Sequence, residues 1–183
     1  MASKNIIFIQ YFQTVIGELI VGSFENQICV LDYRYRKMRL QIDQRLQTGL
    51  NAIYFEKETS FLREAQLQIT AYLNGTRKDF TLPIKMVGTP FQCIVWKALK
   101  TVPYGSTISY LELAKLIGNK KAVRAVAAAN GANAIALMIP CHRVIGSNNK
   151  LVGYAGGLPV KKRLLQLELT DSQDQNEIPF PES

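Results

Sequence analysis

The hydrophobic period of this 183-residue chain changes near residue 88, and that change bounds what the chain can fold into. Before it, Ile6–Phe12, Gly17–Ser23 and Gln27–Tyr35 are alternating or apolar runs, as strands of a small sheet require. Glu25-Asn26 is read as a turn, and the basic stretch Arg34–Arg39 as an exposed strand end or loop. One helix follows. Ser60 is its expected N-cap, Phe61–Leu73 its body and Asn74-Gly75 its stop, with Leu62, Ala65, Ile69 and Leu73 at helical spacing. Thr76–Gly88 is expected to be a short strand plus linker, and the domain boundary falls near Val87-Gly88.

After the boundary the punctuation is helical. Thr89-Pro90 supplies an N-cap and a first-turn proline for Phe91–Lys100, whose buried stripe is Phe91, Val95 and Ala98 or Leu99. Pro103-Tyr104-Gly105 is a turn. Ser109-Tyr110-Leu111-Glu112 matches a capping box, so a helix starts at Tyr110 and Gly118 ends it. Asn119 is the expected cap of the next helix, Lys120 to about Ala129. Two short helices on a minimal turn form a helix-turn-helix signature. The second is thin, with Ala122, Ala125, Ala127, Ala128 and Ala129; Val123 and Val126 face inward and Arg124 outward. Such a helix suits close approach to a phosphate backbone, although alanines also favour helix and tight internal packing. Gly146–Asn149 reads as a turn, Leu151–Tyr154 as an extended piece and Gly153–Gly157 as a flexible loop. Pro159 opens a last helix, Val160–Leu169, and the acidic tail 171–183 is expected to be disordered. The fold class is therefore α+β: a small N-terminal sheet domain, 1–87, and a mainly α C-terminal helix-turn-helix domain, 88–170.

The chemistry concentrates in Pro140-Cys141-His142-Arg143, which holds the only histidine of the chain. A thiol has a pKa near 8.5, and a neighbouring base or cation raises its thiolate fraction. Cys141 is thus the first candidate for covalent chemistry, with a half-buried structural cysteine as the competing reading. In the last helix Val160, Leu164 and Glu168 are spaced i, i+4, i+8, which puts a carboxylate on the apolar stripe. It also falls in the final turn, where the helix dipole disfavours an anion. Glu168 therefore needs a partner, and His142 is the imidazole available; frayed exposure of the helix end is the alternative.

Charge points the same way. The net charge is +8, made of +3 over residues 1–87, +9 over 88–170 and −4 over the tail. A basic segment around Cys141 fits a polyanionic partner, nucleic acid first, or else a basic surface with no specific partner. Three scattered cysteines, Cys29, Cys93 and Cys141, suggest neither a disulfide framework nor a zinc site; Cys29 and Cys93 are read as structural. No signal peptide or membrane-length apolar run is read, so the expected setting is cytoplasmic, with no membrane partner.

Pro140-Cys141-His142-Arg143-Val144, with Asn133 before it and Gly153-Tyr154-Ala155-Gly156-Gly157-Leu158 after it, resembles the signature of the O6-alkylguanine-DNA alkyltransferases. The likeness extends through Thr89-Pro90-Phe91-Gln92, Pro103-Tyr104-Gly105, Tyr110-Leu111-Glu112-Leu113-Ala114 and Arg124-Ala125-Val126. The N-terminal part resembles that family's ribonuclease-H-like domain. The resemblance implies irreversible, single-turnover transfer of an alkyl group from O6-alkylguanine, with O4-methylthymine a further substrate, to Cys141. It implies a monomer on the minor groove of alkylated duplex DNA, no cofactor, no metal, and an extrahelical base, as chemistry on a stacked base requires. His142 would take the thiol proton through a water and Glu168 would orient the imidazole. Asn133 would tie the recognition helix to the active segment, and Tyr110 would help turn out the nucleotide and protonate the leaving guanine. DNA contacts would come from Arg124, which fills the vacated stack, and from Tyr110, Lys121, Ala125, Ala128 and Asn119. The base pocket would comprise Tyr154, Val144, Ala155, Gly156 and Met138. Ala155 stands where a serine is common, Ala134 and Ala136 where prolines are, and Ala127 and Ala128 where glycines are. The rival classes are a non-catalytic lesion-binding protein, a Cys-His hydrolase and a plain DNA-binding regulator.

Overall fold

The computed structural model describes residues 4–146, 148 and 150–173, with side chains to residue 170. Strands β1 (Asn5–Thr14), β2 (Gly17–Phe24) and β3 (Gln27–Tyr33) form an antiparallel meander. Glu25 and Asn26 both take positive φ, 50° and 55°, as a two-residue primed turn demands. Helix α1 (Arg39–Gly49) then carries the chain to β4 (Ala52–Glu56), which pairs parallel to β1 and completes the order β3-β2-β1-β4. Helix α2 (Ser60–Leu73) follows, and in the second half come α3 (Pro90–Leu99), β5 (Ile108–Ser109), α4 (Tyr110–Leu116) and α5 (Val123–Gly131). A 3-10 turn (Cys141–Arg143), β6 (Val144–Ile145) and α6 (Leu158–Gln173) complete the chain. Among the described residues no helix is long and apolar enough to cross a membrane.

The sheet is covered on both faces, which is why its strands read as almost unbroken apolar runs. On one face Ile42, Leu46 and Leu50 at α1 meet Ile7, Ile9, Ile20, Cys29 and Val30. On the other, Leu19, Val21, Ile28 and Leu31 meet Leu62, Ala65, Ile69 and Tyr72 of α2. That second core continues without a break into Val95, Trp96, Leu113, Val126, Ile139, Val144 and Leu164. The helical half is therefore packed onto the sheet rather than hung from it.

Several expected boundaries move, each for a local reason. The N-cap of α2 is Thr59, whose Oγ1 accepts from Leu62 N at 3.1 Å, so Ser60 is already helical. The capping box of Ser109 with Glu112 forms as read, and the expected N-cap Thr89 proves to close a box of its own with Gln92. Asn119 does not cap α5. Its N–H closes the end of α4 onto Ala114 O at 2.9 Å while Gly118, at φ 77°, bonds Lys115 O, a Schellman ending. A separate turn, Ala122 N to Asn119 O, then delays α5 to Val123. Arg34–Arg39 is not all loop, since Arg39 opens α1, and β3 stops at Tyr33. Thr76–Gly88 forms only a bridge, Ile84 to Ile28, and Leu151–Tyr154 joins no ladder. Helix α6 runs from Leu158 to Gln173, so Glu168 lies inside it and not in its last turn, and residues 171–173 of the acidic tail are helical. The rest of the tail, and Ser147 and Asn149 of the expected 146–149 turn, lie outside the described residues. Cys29 is fully buried but Cys93 is only half-buried, with its Sγ toward Gly88 O at the start of α3.

Candidate active site

Cys141 is held by the backbone around it. Pro140, at φ −79° and ψ 64°, is the centre of an inverse γ-turn that brings Cys141 N–H to Ile139 O at 2.7 Å. Asn133 fixes the start of the same segment: its Nδ2 donates to Ile139 O at 2.9 Å and its Oδ1 accepts from Ile135 N at 2.9 Å. The segment is also stitched to the sheet, with Leu31 N to Ala134 O at 2.9 Å and Ala136 N to Leu31 O at 2.6 Å. The active segment thus extends the free edge of β3.

Two members of the expected triad, His142 and Glu168, meet directly. His142 Nε2 lies 2.7 Å from Glu168 Oε1, and both residues are fully buried. His142 Nδ1 is buried without a partner among the described residues. With the Nε2 proton directed to Glu168, Nδ1 is left as the basic lone pair. Burial, opposed by Glu168, pushes the His142 pKa down, so the ring is neutral near pH 7. Desolvation works against the Glu168 charge, but the His142 and Arg143 hydrogen bonds and charges outweigh it and hold the carboxyl at about 2. The Cys141 pKa is raised, by burial first, against a lowering hydrogen bond from Asn133 and the charge of Arg36. Arg143 does not activate the thiol, contrary to what adjacency suggested. Its Nε bonds Glu168 Oε2 at 2.9 Å and its Nη1 bonds Val102 O at 2.6 Å.

A cleft of about 300 Å³ opens at Cys141, lined among others by Tyr110, Ala127, Asn130, Asn133, Ala136, Tyr154 and Ala155. Tyr110 enters it from the first turn of α4. Tyr154 is held by its hydroxyl, 3.0 Å from that of Tyr33. Gly156 lies under the Tyr33 ring, where a Cβ would come within 2.5 Å of Cζ. Gly156 and Val144 therefore support the wall without lining it; Val144 is fully buried. Met138 is a correction: it lines a second cleft, with Phe80, Leu82 and Lys100. The cause is Leu137, whose φ of 68° and Met138 N to Ala136 O bond of 2.8 Å reverse the chain before Met138. Arg124, Ala125 and Ala128 are exposed on α5, as are Lys121 and Asn119 before it. Ala127 and Asn130 of the same helix line the cleft, so that exposed face adjoins its mouth.

Three residues of the site were not singled out by sequence. Tyr72, fully buried on α2, bonds Glu168 Oε1 through its hydroxyl, which is 3.3 Å from His142 Nε2. Its position three beyond Ile69 on the apolar stripe was a usable signal. Lys161, also fully buried, donates to Val144 O at 2.5 Å and Val152 O at 2.7 Å, and burial pushes its pKa down to about 8. Arg36 donates to Asp32 at 2.8 Å and to Asn133 O at 2.7 Å, tying the first half to the active segment.

Two sequence profiles match the chain, each along nearly a whole half. Residues 7–86 match the 6-O-methylguanine DNA methyltransferase ribonuclease-like domain, and residues 90–170 match the DNA binding domain of the same name. A methylated-DNA–protein-cysteine methyltransferase of Methanosarcina acetivorans is 43% identical over 157 residues, which are 86% of this chain and 95% of the relative. The constitutive enzyme of that name from Bacillus subtilis is also 43% identical, over 85% of this chain and 92% of its own. Among solved structures, Mycobacterium tuberculosis OGT in complex with DNA superposes with a TM-score of 0.77 at 36% identity, covering 91% of this chain and 94% of that one.

Proposed function

The chain belongs to the 6-O-methylguanine DNA methyltransferase family, the methylated-DNA–protein-cysteine methyltransferases, and on that premise we propose that it repairs alkylated duplex DNA once per molecule, through Cys141. The observation that carries the reading is the buried Cys141–His142–Glu168 constellation beside a cleft that two tyrosines line. The Cys141 proton passes through a water to His142 Nδ1, the one imidazole nitrogen that no protein group occupies among the described residues. The resulting thiolate attacks the O6-methyl carbon; the S–C bond forms as the C–O6 bond breaks, and the electron pair returns to the purine. Tyr110 protonates the departing guanine, and Glu168 stabilises the imidazolium. The thioether has no route back to a thiol, so turnover is single.

Delivery of the base follows from the exposed face of α5. That helix binds in the minor groove, with Lys121, Asn119, Ala125 and Ala128 against the strands and Arg124 in the space left by the everted nucleotide. Unstacking costs a few kcal/mol, and an inserted side chain offsets part of it. Tyr154 and Ala155 enclose the base, O4-methylthymine is a further substrate, and the protein acts as a cytoplasmic monomer divided near residues 87–88.

The test is direct. The protein is incubated with duplex DNA carrying labelled O6-methylguanine, digested, and the Cys141 peptide weighed. The peptide should gain one methyl group per molecule. An unmodified Cys141 in the presence of excess lesion would sink the reading and leave a lesion-binding protein or a hydrolase.

A further inference from the structure

Helix α5 ends without a local closure. No residue from 128 to 136 takes a positive φ, and the last turn holds no basic side chain. A helix end leaves its final carbonyls without intrahelical partners, and here donors from far along the chain take them. Trp96 Nε1 donates to Ala129 O at 2.8 Å. Arg45 Nη2 donates to Ala132 O at 2.8 Å, and its guanidinium lies 5.3 Å from the centre of the Trp96 ring. Arg36 spans two carbonyls, with Nη2 donating to Gly131 O and Nη1 to Asn133 O, the latter at 2.7 Å. The two arginines stand 87 to 97 residues before the carbonyls they hold. Arg36 follows β3 and Arg45 lies on α1, so both belong to the first half. Asp32, fully buried near the end of β3, fixes Arg36 at 2.8 Å. Cations at a helix C-terminus also meet the negative end of its dipole.

We propose that Arg36 and Arg45 are positioning residues for nucleotide capture: they hold the end of α5 against the segment of Cys141, and so set the separation between Arg124 and the acceptor thiol. The proposal rests on the repair reading above. Asn133 joins the two sides, since its carbonyl takes Arg36 while its Nδ2 anchors Ile139 O, two residues before Cys141. One guanidinium therefore grips the helix at Gly131 and the reactive segment at Asn133. Arg124 is the second of the nine residues of α5. A helix of that length spans about 13 Å and turns as a rod, so the grip on its last turn fixes where Arg124 stands. Methyl transfer needs its reacting atoms about 3–3.5 Å apart, and a displacement of about 1 Å costs on the order of a hundredfold. A free base diffuses into the cleft whatever the place of α5. A base still joined to duplex DNA does not.

The experiment compares single-turnover methyl transfer from an O6-methylguanine duplex with that from free O6-methylguanine, well below the melting temperature of each variant. Arg36→Lys and Arg45→Lys keep the charge but give up the planar fork of donors. Each should lower the ratio of duplex rate to free-base rate, Arg36→Lys by about tenfold and Arg45→Lys, which releases one carbonyl, by about threefold. In an Arg124→Ala background the same substitutions should lower the duplex rate by less than about twofold, because the side chain they place is already gone. A purely structural role would lower both rates alike, and an unchanged ratio would overturn the proposal. So would losses that multiply with that of Arg124→Ala. An Arg124→Ala protein that repairs duplex at the wild-type rate would overturn it too, since α5 would then have nothing to place. Should Arg36→Lys not fold, Arg45→Lys carries the same comparison from a residue that does not line the cleft. Absence of methyl on Cys141 in the wild-type protein would instead overturn the repair reading itself.

Discussion

Glu168 receives more hydrogen bonds than any isolated carboxylate could justify inside a helix: Tyr72, His142, two nitrogens of Arg143 and the Gly105 N–H at 3.0 Å. The site is thus a saturated anion supporting one neutral imidazole, next to a thiol that burial keeps protonated. In the proposed reaction the thiolate therefore arises by transfer to His142 and not by standing ionisation. Two predictions belong at this scale. Tyr72→Phe removes one donor from Glu168 at a cost of about 1 kcal/mol. It should slow methyl transfer up to about tenfold while leaving duplex affinity within about twofold, read by single-turnover rates beside gel-shift titration; an unchanged rate would exclude Tyr72 from the relay. The second concerns acid. The folded pKa of Glu168, about 2, lies below its unfolded value, which is near 4.3. Its contribution is fully present above that unfolded value and is lost as pH falls through about 2. Urea midpoints should drop over that window, and the drop should shrink in Glu168→Gln, which near pH 7 loses about 3–5 kcal/mol because Arg143 is left buried without its counter-charge.

At the scale of elements, two short pieces do the positioning. The γ-turn at Pro140 aims Cys141 into the cleft, and the loop after Leu151 brings Tyr154 across it, braced by Tyr33 from β3. Gly156 is where that loop touches the sheet. Gly156→Ala should destabilise the protein by about 1–3 kcal/mol through overpacking and displace Tyr154, so thermal melting and lesion reactivity should fall together. Helix α5 serves the other side of the cleft. Arg124→Ala should slow repair of duplex DNA by tenfold or more, on the order of 1–2 kcal/mol for a lost intercalating contact, while reaction with free O6-methylguanine stays unchanged. Equal losses on both substrates would remove Arg124 from the flipping step. Elements with strong local signals were legible beforehand. The N-cap at Thr89, the capping box at Ser109 and the Glu25-Asn26 turn are set by residues within four positions of one another. Helix α1 and strand β4 were not. Helix α1 buries only Ile42 and Leu46 and has no capping side chain, and β4 leaves Ile53 and Phe55 exposed at a sheet edge.

Over the whole molecule, the first half is a working part of the site and not an appendage. Tyr72, Tyr33 and Arg36 all come from it and bond residues of the second half, and Asp32 holds Arg36 in place. Residues 88–183 expressed alone should therefore fail to protect Glu168 and should not transfer methyl, and the intact chain should unfold in urea as one transition followed by two probes. Binding to duplex DNA should weaken with salt with a slope of about −0.9 per phosphate contacted, since the +9 of residues 88–170 is the charge expected to face it. The sequence by itself determined the fold class and the two short helices on their minimal turn, and it marked Cys141 and His142 as the candidates for chemistry, because local periodicity, capping and a short motif are written in neighbouring residues. It also marked Glu168 as a carboxylate needing a partner. Only the tertiary structure decided what surrounds that partner. Tyr72 lies 96 residues from Glu168 along the chain, and Met138 turns away through the backbone of Leu137. Contacts of that separation are fixed by how the helices pack on the sheet, and packing is a property of the whole core.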